Sequence, residues 1–489
     1  MSAALTHYDS VRLAQTLEHI CATGEFQGIS AGGRYGLVAI SWLVYLPWCA
    51  AGANADFAVR LTGVIFLALA AGAIYLLTTE LFRSRIGGIT AALLTVGTPF
   101  LIIPSTYGKE HSILVFLLAF AFWCTLRGHR SLAMLWPIVG ALSFVVAVTV
   151  REAALFALPA FILVVLGIDV GRDGERWHLR LGGQWLPGII TLIIAGGAVV
   201  FAFFGGQFIA VLGDERVTAF FWSQAFKFWF EFFVFTYFAW IAALIGVCAV
   251  WRLRRDVLVP LLLWFAMTLP IAALGGYVPR YYDVVLIPFS LFVAAAVAVL
   301  AQRSRLAAIG ALLFLVLPPF WLGLPFLEAR HAGSNVKQFA EYVATIIDED
   351  DVVVAMDDSA FIEYYGHRHA MSVTPTSQNK QRIARKLIDL QRNGSEVYVL
   401  QSSWANPLNQ GLKQFLQKNF DAELVGNHPL ENYHDAERGF YIRHIAIVRL
   451  KGPLFNASLL EERALQGGAT ITKETTSADL GAWLRASLS

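Results

Sequence analysis

The stretch from Ala58 to Glu80, AVRLTGVIFLALAAGAIYLLTTE, decides the fold. Between its ends Arg60 is the only charged residue, and the run has the roughly 20 mostly apolar residues that a membrane-crossing helix needs. Arg83 and Arg85 follow at once, and then the next apolar run begins. This alternation of apolar run and arginine-bearing turn recurs as far as Leu327. Candidate spans fall at about 58–80, 87–104, 112–127, 132–150, 153–168, 186–206, 226–250, 257–275, 284–301 and 306–327, which is about ten spans. The expected class is a polytopic α-helical membrane protein.

Composition agrees. The chain is 57% apolar and 15% charged, with a mean hydropathy of +0.59, whereas a soluble domain carries about 25% charge. The net charge of +2 comes from short basic clusters rather than one patch, which argues against a nucleic-acid partner. Of the four cysteines, Cys49, Cys124 and Cys248 belong to apolar runs and Cys21 stands apart. No spacing resembles a metal site, and no disulfide framework is expected. Residues 1–30 are polar and lack the apolar core of a signal peptide. After Leu327 the character changes to that of a soluble domain. Three regions are therefore expected: 1–57, 58–327 and 328–489.

Orientation follows from the basic residues, which favour cytoplasmic loops. Arg83 and Arg85, Arg127 and Arg130, Arg172, Arg176 and Arg180, Arg252, Arg254 and Arg255, and Arg303 and Arg305 occupy every second connection. Those connections are expected inside. The alternate ones, around 105–111, Arg151-Glu152, 206–225 and 275–283, are expected outside, together with the domain after Leu327. Localisation in a bacterial inner (plasma) membrane fits this layout.

One run, Tyr35 to Gly52, is ambiguous. If it crosses the bilayer, Asp9 and Glu110 lie on opposite faces; if it lies along the outer interface, they share a face. Trp42, Tyr45, Pro47 and Trp48 are interface-loving or helix-breaking residues, and they favour an outer interfacial helix.

Several short motifs carry a resemblance. They are His7-Tyr8-Asp9-Ser10, Gly24-Glu25-Phe26, Arg34-Tyr35, Phe57-Ala58-Val59-Arg60-Leu61, Glu80-Leu81-Phe82-Arg83-Ser84-Arg85, Pro99, the Glu110 region, and Arg280-Tyr281 with Pro288. In their order and spacing, over roughly residues 5–300, they resemble the GT-C glycosyltransferases. The nearest branch contains the lipid A aminoarabinose transferases and protein O-mannosyltransferases. The chain departs from that branch in two ways. It has eight residues before Asp9, where the family has a transmembrane helix, and Asp9 is followed by Ser10, where the family often has a second acid.

The resemblance implies transfer of a sugar from a polyprenyl-phosphate donor to a glycan, glycolipid or protein acceptor on the outer face, with inversion. Asp9 is the candidate general base, since a carboxylate within reach of an acceptor hydroxyl can take its proton. The plainer reading is that Asp9 or Ser10 caps the helix that follows. Glu110 is the second catalytic candidate, positioning the acceptor or, with His111, holding a divalent cation. A single carboxylate and a single imidazole do not specify a metal, so no cofactor is certain. The plainer reading of Glu110 is a surface pair with Lys109.

Arg34, Arg151, Arg280 and Lys109 are candidates for the donor phosphate, because guanidinium groups grip phosphate bidentately and stay charged when partly buried. Their plainer roles include pairing with neighbours, Glu152 for Arg151 and Asp283 for Arg280. His111, Tyr281 and Trp222 are candidates for contact with acceptor or sugar, although aromatic residues near a membrane boundary are commonly an interfacial belt.

The C-terminal region reads as an extracytoplasmic α/β domain, with helices at 336–347 and 381–391 and strands at 352–355, 397–400 and 445–448. No phosphate-binding glycine loop follows a strand, and Asp357-Asp358 reads more readily as a helix cap than as a catalytic pair. A transporter or lipid flippase would show repeats and charges at mid-membrane, and neither is evident. A noncatalytic subunit of a cell-envelope assembly complex is the other alternative.

Overall fold

The structure, a computed structural model, describes the chain apart from residues 1–7, 30–33, 132–134, 168, 174–175, 181–221, 269–281, 332–335, 356–357, 373–378, 402, 404–409, 430–433, 436–439, 442–443 and 454–489. It forms two compact units, Leu13–Glu328 and Met1–Arg12 with Ala329–Ser489. The first helix, α1 (Tyr8–Thr23), contributes to both.

The larger unit is helical. It continues with α2 (Tyr35–Ala50), α3 (Asp56–Phe82), α4 (Arg85–Val96), α5 (Pro99–Thr106), α6 (His111–Ser131) and α7 (Leu135–Val150). A 3-10 turn, Glu152–Ala157, leads into α8 (Leu158–Val165), followed by an antiparallel hairpin of β1 (Asp169–Asp173) and β2 (Arg176–Arg180). Then come α9 (Trp222–Leu253), α10 (Arg255–Thr268), α11 (Tyr282–Arg303) and α12 (Arg305–His331).

Local chemistry sets several boundaries. Arg83 leaves α3 in the left-handed conformation, with φ 52°. Ser84 then caps α4, its Oγ accepting from the Gly87 amide at 3.1 Å, which leaves fewer orphan donors at the helix start. Pro99 opens α5 after Thr98, where a missing N–H costs nothing.

Among the described residues five helical stretches are long and apolar enough to cross a membrane: Asp56–Phe82, His111–Ser131, Thr236–Leu253, Tyr282–Arg303 and Arg305–Leu322. The pair α4 and α5, bent by 58°, makes a sixth if it is one broken span. Of the about ten expected spans, 132–150 and 153–168 are shorter apolar helices, and 257–275 is helical as far as Thr268. The run 186–206 lies outside the described residues. The helices α6 and α11 are central, with 78% of their most apolar windows buried, against 17% in α12. The helices α9 and α11 pack backbone to backbone: a Cβ on Gly246 would lie 1.8 Å from the Phe292 carbonyl oxygen.

The arginine-bearing turns gather at one end of this unit. Arg130 Nη1 donates to Glu80 at 2.6 Å, and Arg254 Nη1 donates to the Leu81 carbonyl at 3.4 Å, so the C-terminal ends of α3, α6 and α9 meet there.

The cysteines correct the sequence reading. Cys21 of α1 and Cys49 of α2 form a disulfide, with their Cα atoms 5.9 Å apart. Spacing along the chain gave no sign of it, because the pairing depends on where the two helices fold. Cys124 and Cys248 are free thiols.

The second unit is α/β. It holds α13 (Val336–Ile346), β3 (Val352–Ala355), α14 (Ser359–Tyr365), β4 (His369–Ser372), α15 (Asn379–Arg392), β5 (Val397–Leu400), α16 (Gln410–Asn419), β6 (Phe420–Pro429), the short pair β7 (His434–Asp435) and β8 (Phe440–Tyr441), and β9 (His444–Pro453). Its sheet has the order β4-β3-β5-β9-β6, in which β3 runs parallel to β4 and β5 while β9 is antiparallel to β5 and β6. Two apolar clusters cover it. One joins Val354, Leu387, Ile388 and Val399; the other joins Phe339, Val343, Val353 and Ile447. The alternation of Val353 and Val354 between clusters is the period of a strand buried on both faces. Asp358 occupies the N-cap of α14, but its side chain makes no capping hydrogen bond.

Candidate functional site

Opposite the arginine-rich end, the starts of α3, α6 and α11, the end of α7 and the start of α2 come together. Ser112 Oγ donates to the Gly63 carbonyl at 3.0 Å, tying the first turn of α6 to α3. Gly108 makes this approach possible. Its φ is +75°, and a Cβ there would lie 2.4 Å from Val59, so a larger residue would both strain the turn and lift the loop from α3. The following residues, Lys109, Glu110 and His111, are thereby drawn inward, and all three are buried.

The surface pairing considered for Glu110 is not its situation. Its side chain is 1% exposed, and Oε1 lies 3.3 Å from Arg34 Nη1 and 3.5 Å from Arg151 Nη1. Among the described residues neither Glu110 oxygen accepts a hydrogen bond. Burial alone raises the Glu110 carboxyl, but Arg34 and Arg151, with His111 and Lys109, outweigh it and hold the group well below the usual carboxylate range. The result is an ionised, buried carboxylate with hydrogen-bond capacity in reserve.

Arg151 reaches further. Its Nη1 lies 3.4 Å from Asp283 Oδ2 and 2.8 Å from His111 Nδ1, and His111 Nδ1 is itself 2.8 Å from Asp283 Oδ2. An imidazole that donates its Nδ1 proton to Asp283 keeps Nε2 as the acceptor, which lies 3.3 Å from the Arg151 Nη1 donor. Asp283 Oδ1 accepts from the Val284 amide at 2.8 Å. The local partner expected for Arg151, Glu152, is exposed instead. Asp283 is the member of this cluster that sequence reasoning missed, having figured only as a neighbour of Arg280. Its position one residue into an apolar run was the available signal, since a carboxylate there needs a partner.

Arg34 sits at the N-cap of α2 in the left-handed conformation, with φ 38° and ψ 41°. That conformation costs a side-chain-bearing residue roughly 1–2 kcal/mol, and here it accompanies the approach to Glu110. Among the described residues Arg34, Arg151 and Lys109 are the cations that act on the Glu110 carboxylate.

Among the described residues this donor set does not fit a divalent cation. The Arg151 guanidinium lies against both His111 and Glu110, and among the described residues no group of three His, Cys, Asp or Glu side chains is placed to hold a metal. Asp9 lies inside the first turn of α1 rather than at its cap, and is half-buried. Trp222 opens α9, but its side chain, like Arg280 and Tyr281, lies outside the described residues.

Comparison with known proteins bears on this geometry. Residues 38–203 match the family model of dolichyl-phosphate-mannose-protein mannosyltransferases. The structure is similar to ArnT from Cupriavidus metallidurans bound to undecaprenyl phosphate, with a TM-score of 0.62 and 11% identity over 91% of this chain and 94% of that one. It is also similar to the apo oligosaccharyltransferase of Archaeoglobus fulgidus, with a TM-score of 0.58 and 13% identity over 87% of this chain and 70% of that one. The same archaeal enzyme, AglB, in complex with an inhibitory peptide and a dolichol-phosphate gives a TM-score of 0.55 and 13% identity, covering 81% and 65%. No curated protein sequence matches. The fold is thus the GT-C membrane fold with a C-terminal α/β domain, resembling the ArnT and mannosyltransferase branch.

Proposed function

We propose that this protein is a GT-C glycosyltransferase that moves a sugar from a polyprenyl-phosphate donor to a glycan, glycolipid or protein acceptor at the outer face of the membrane, with inversion. The observation that carries the reading is Glu110, buried and ionised between Arg34 and Arg151 with neither oxygen hydrogen-bonded among the described residues. A reserved carboxylate of this kind suits a sugar hydroxyl, and the guanidinium groups of Arg34 and Arg151 beside it are of the type that binds phosphate. The relatives supply the donor class: ArnT binds undecaprenyl phosphate and AglB a dolichol-phosphate.

In this reading Arg34, which is partly exposed, grips the donor phosphate together with Lys109 and Arg280. Arg151 holds Glu110, His111 and Asp283 in place from behind. Glu110 orients the hydroxyl-bearing substrate, and Asp9 takes the acceptor proton as the glycosidic bond forms. Tyr281 and Trp222 contribute aromatic faces to the sugar.

Two features support this sidedness. The arginine-rich turns at the opposite end belong in the cytoplasm. The helix α2 does not cross: Arg34 at its start lies by Glu110, and residues 51–55 after it join α3, whose Gly63 carbonyl is bonded to Ser112 beside Glu110. Sixteen helical residues span about 24 Å, while five connecting residues reach at most about 18 Å. A crossing α2 would have to be undone by that short connection, which supports the reading of α2 as an outer interfacial helix. The membrane is the bacterial inner membrane, and the C-terminal domain is extracytoplasmic.

The test is transfer of labelled sugar from a synthetic prenyl-phosphate donor by the protein in proteoliposomes. Wild-type protein should transfer, and Asp9→Asn should abolish transfer while leaving yield and unfolding temperature intact. Undiminished turnover by Asp9→Asn would remove Asp9 as the base, and no transfer to any acceptor mixture would remove the enzyme reading altogether.

A further inference from the structure

The disulfide lies at the same end of the helical unit as the Glu110 cluster, where α1 meets the corner between α2 and α3. Cys21 is bonded to Cys49, Glu18 Oε1 on the preceding turn of α1 accepts from the Ala55 amide at 2.9 Å, and Tyr45 of α2 donates from its hydroxyl to the Ala53 carbonyl at 2.7 Å. Glu18 and Cys21 are three residues apart and so share a face of α1. One face of that helix is therefore tied covalently to the end of α2 and by a hydrogen bond to the residue that opens α3. Further along the same helix is Asp9.

We infer that the Cys21–Cys49 bond is a clamp installed by oxidation on the outer side of the membrane, and that it positions the α1 helix for sugar transfer. Disulfides persist in oxidising compartments and are rare in the cytosol. The bond thus marks its end of the protein as extracytoplasmic, independently of the arginine distribution. Its formation removes two protons and two electrons from the thiol pair and passes them to the disulfide of a thiol–disulfide oxidoreductase, which leaves as the dithiol. In this inference Cys21 and Cys49 act as positioning residues, through the helix α1 that their bond holds. The functional half of the inference rests on the proposed glycosyltransferase reading, whereas the bond and its sidedness do not.

The experiment uses wild-type full-length protein in right-side-out membrane vesicles. A membrane-impermeant phosphine is applied outside, an impermeant maleimide follows, and a mass-tagged maleimide counts the remaining thiols after denaturation. Without reductant, two of the four cysteines should be countable, Cys124 and Cys248; after external reduction, Cys21 and Cys49 should take the external label. Four countable thiols without reductant would overturn the bond, and labelling of Cys21 and Cys49 only after permeabilisation would overturn the sidedness.

Reduced and alkylated protein should then lose transfer by roughly ten- to a hundredfold, the penalty expected for a small displacement of an aligned group. The loss should fall on kcat, with the KM for the donor and the shape of the pH profile unchanged. Reduced protein that can be reoxidised before alkylation should regain activity. Full transfer by reduced, alkylated protein would overturn the positioning role and leave the enzyme reading standing; inactivity of both oxidised and reduced protein would instead count against that reading. Protein carrying both Cys21→Ser and Cys49→Ser should match the reduced form, and if it fails to fold the wild-type series decides alone.

Discussion

At the scale of single residues, the protein depends on balancing charges in a place where water is scarce. Arg151 is almost wholly buried and faces two carboxylates, so Glu110→Gln leaves a buried cation short of a partner. We expect a loss of about 3–5 kcal/mol, the usual penalty for breaking a buried pair from one side, read as a lower unfolding temperature in detergent. Glu110→Gln combined with Arg151→Met should recover part of that stability without recovering transfer.

The direction of the Glu110 shift also sets a pH window. A carboxyl held below its unfolded value contributes stability that is complete above that value, about 4.3, and is lost as pH falls through the folded one. Glu110 therefore stays ionised across pH 5–8, and the kcat/KM profile should show no acidic limb belonging to it there. A limb in that range that disappears in Glu110→Gln would contradict this account. Glu110 and His111 stood out in the sequence as charges beside an apolar run. Their partners were not, because Arg34 and Asp283 are far away in sequence and come close only when helix ends converge.

At the scale of elements, close approach matters more than hydrophobicity, since lipid offers apolar surfaces no reason to separate from one another. The contact between α9 and α11 relies on Gly246 beside the Phe292 carbonyl. Gly246→Ala should lower stability by about 1–3 kcal/mol through overpacking, whereas alanine at Gly310 of α12, which meets open space, should leave the unfolding temperature nearly unchanged. Both can be read in one thermal series on purified protein. The disulfide acts at the same scale. It closes a sequence separation of 28 residues, which in the loop-entropy account is about 3–4 kcal/mol of restriction on the unfolded chain. The helix and strand periods of the C-terminal domain were readable at 336–347 and 352–355, while β6 was not anticipated, because its burial is decided by pairing with β9.

At the scale of the whole molecule, the helical unit has two chemically distinct ends. One carries the turns rich in arginine, with Glu80 held between Arg127 and Arg130; the other carries the buried carboxylates. Single cysteines introduced at Arg303 and at Asp350 in a background lacking Cys124 and Cys248 should label from opposite sides, with Asp350 reactive to impermeant maleimide in intact cells. The same sidedness for both positions would dismantle the topology, and with it the outer-face assignment of the site.

The sequence by itself determined the class of protein, the spacing of arginines and the charges retained beside lipid, because hydropathy and charge act on a membrane locally and additively. It also carried the resemblance to the GT-C enzymes in short motifs. Only the tertiary structure decided which charges meet, that Asp283 belongs with His111 and Arg151, and that Cys21 bonds Cys49. Those are contacts between segments brought together by helix packing, and their geometry depends on small-residue approaches such as Gly108 on Val59, which no local pattern along the chain encodes.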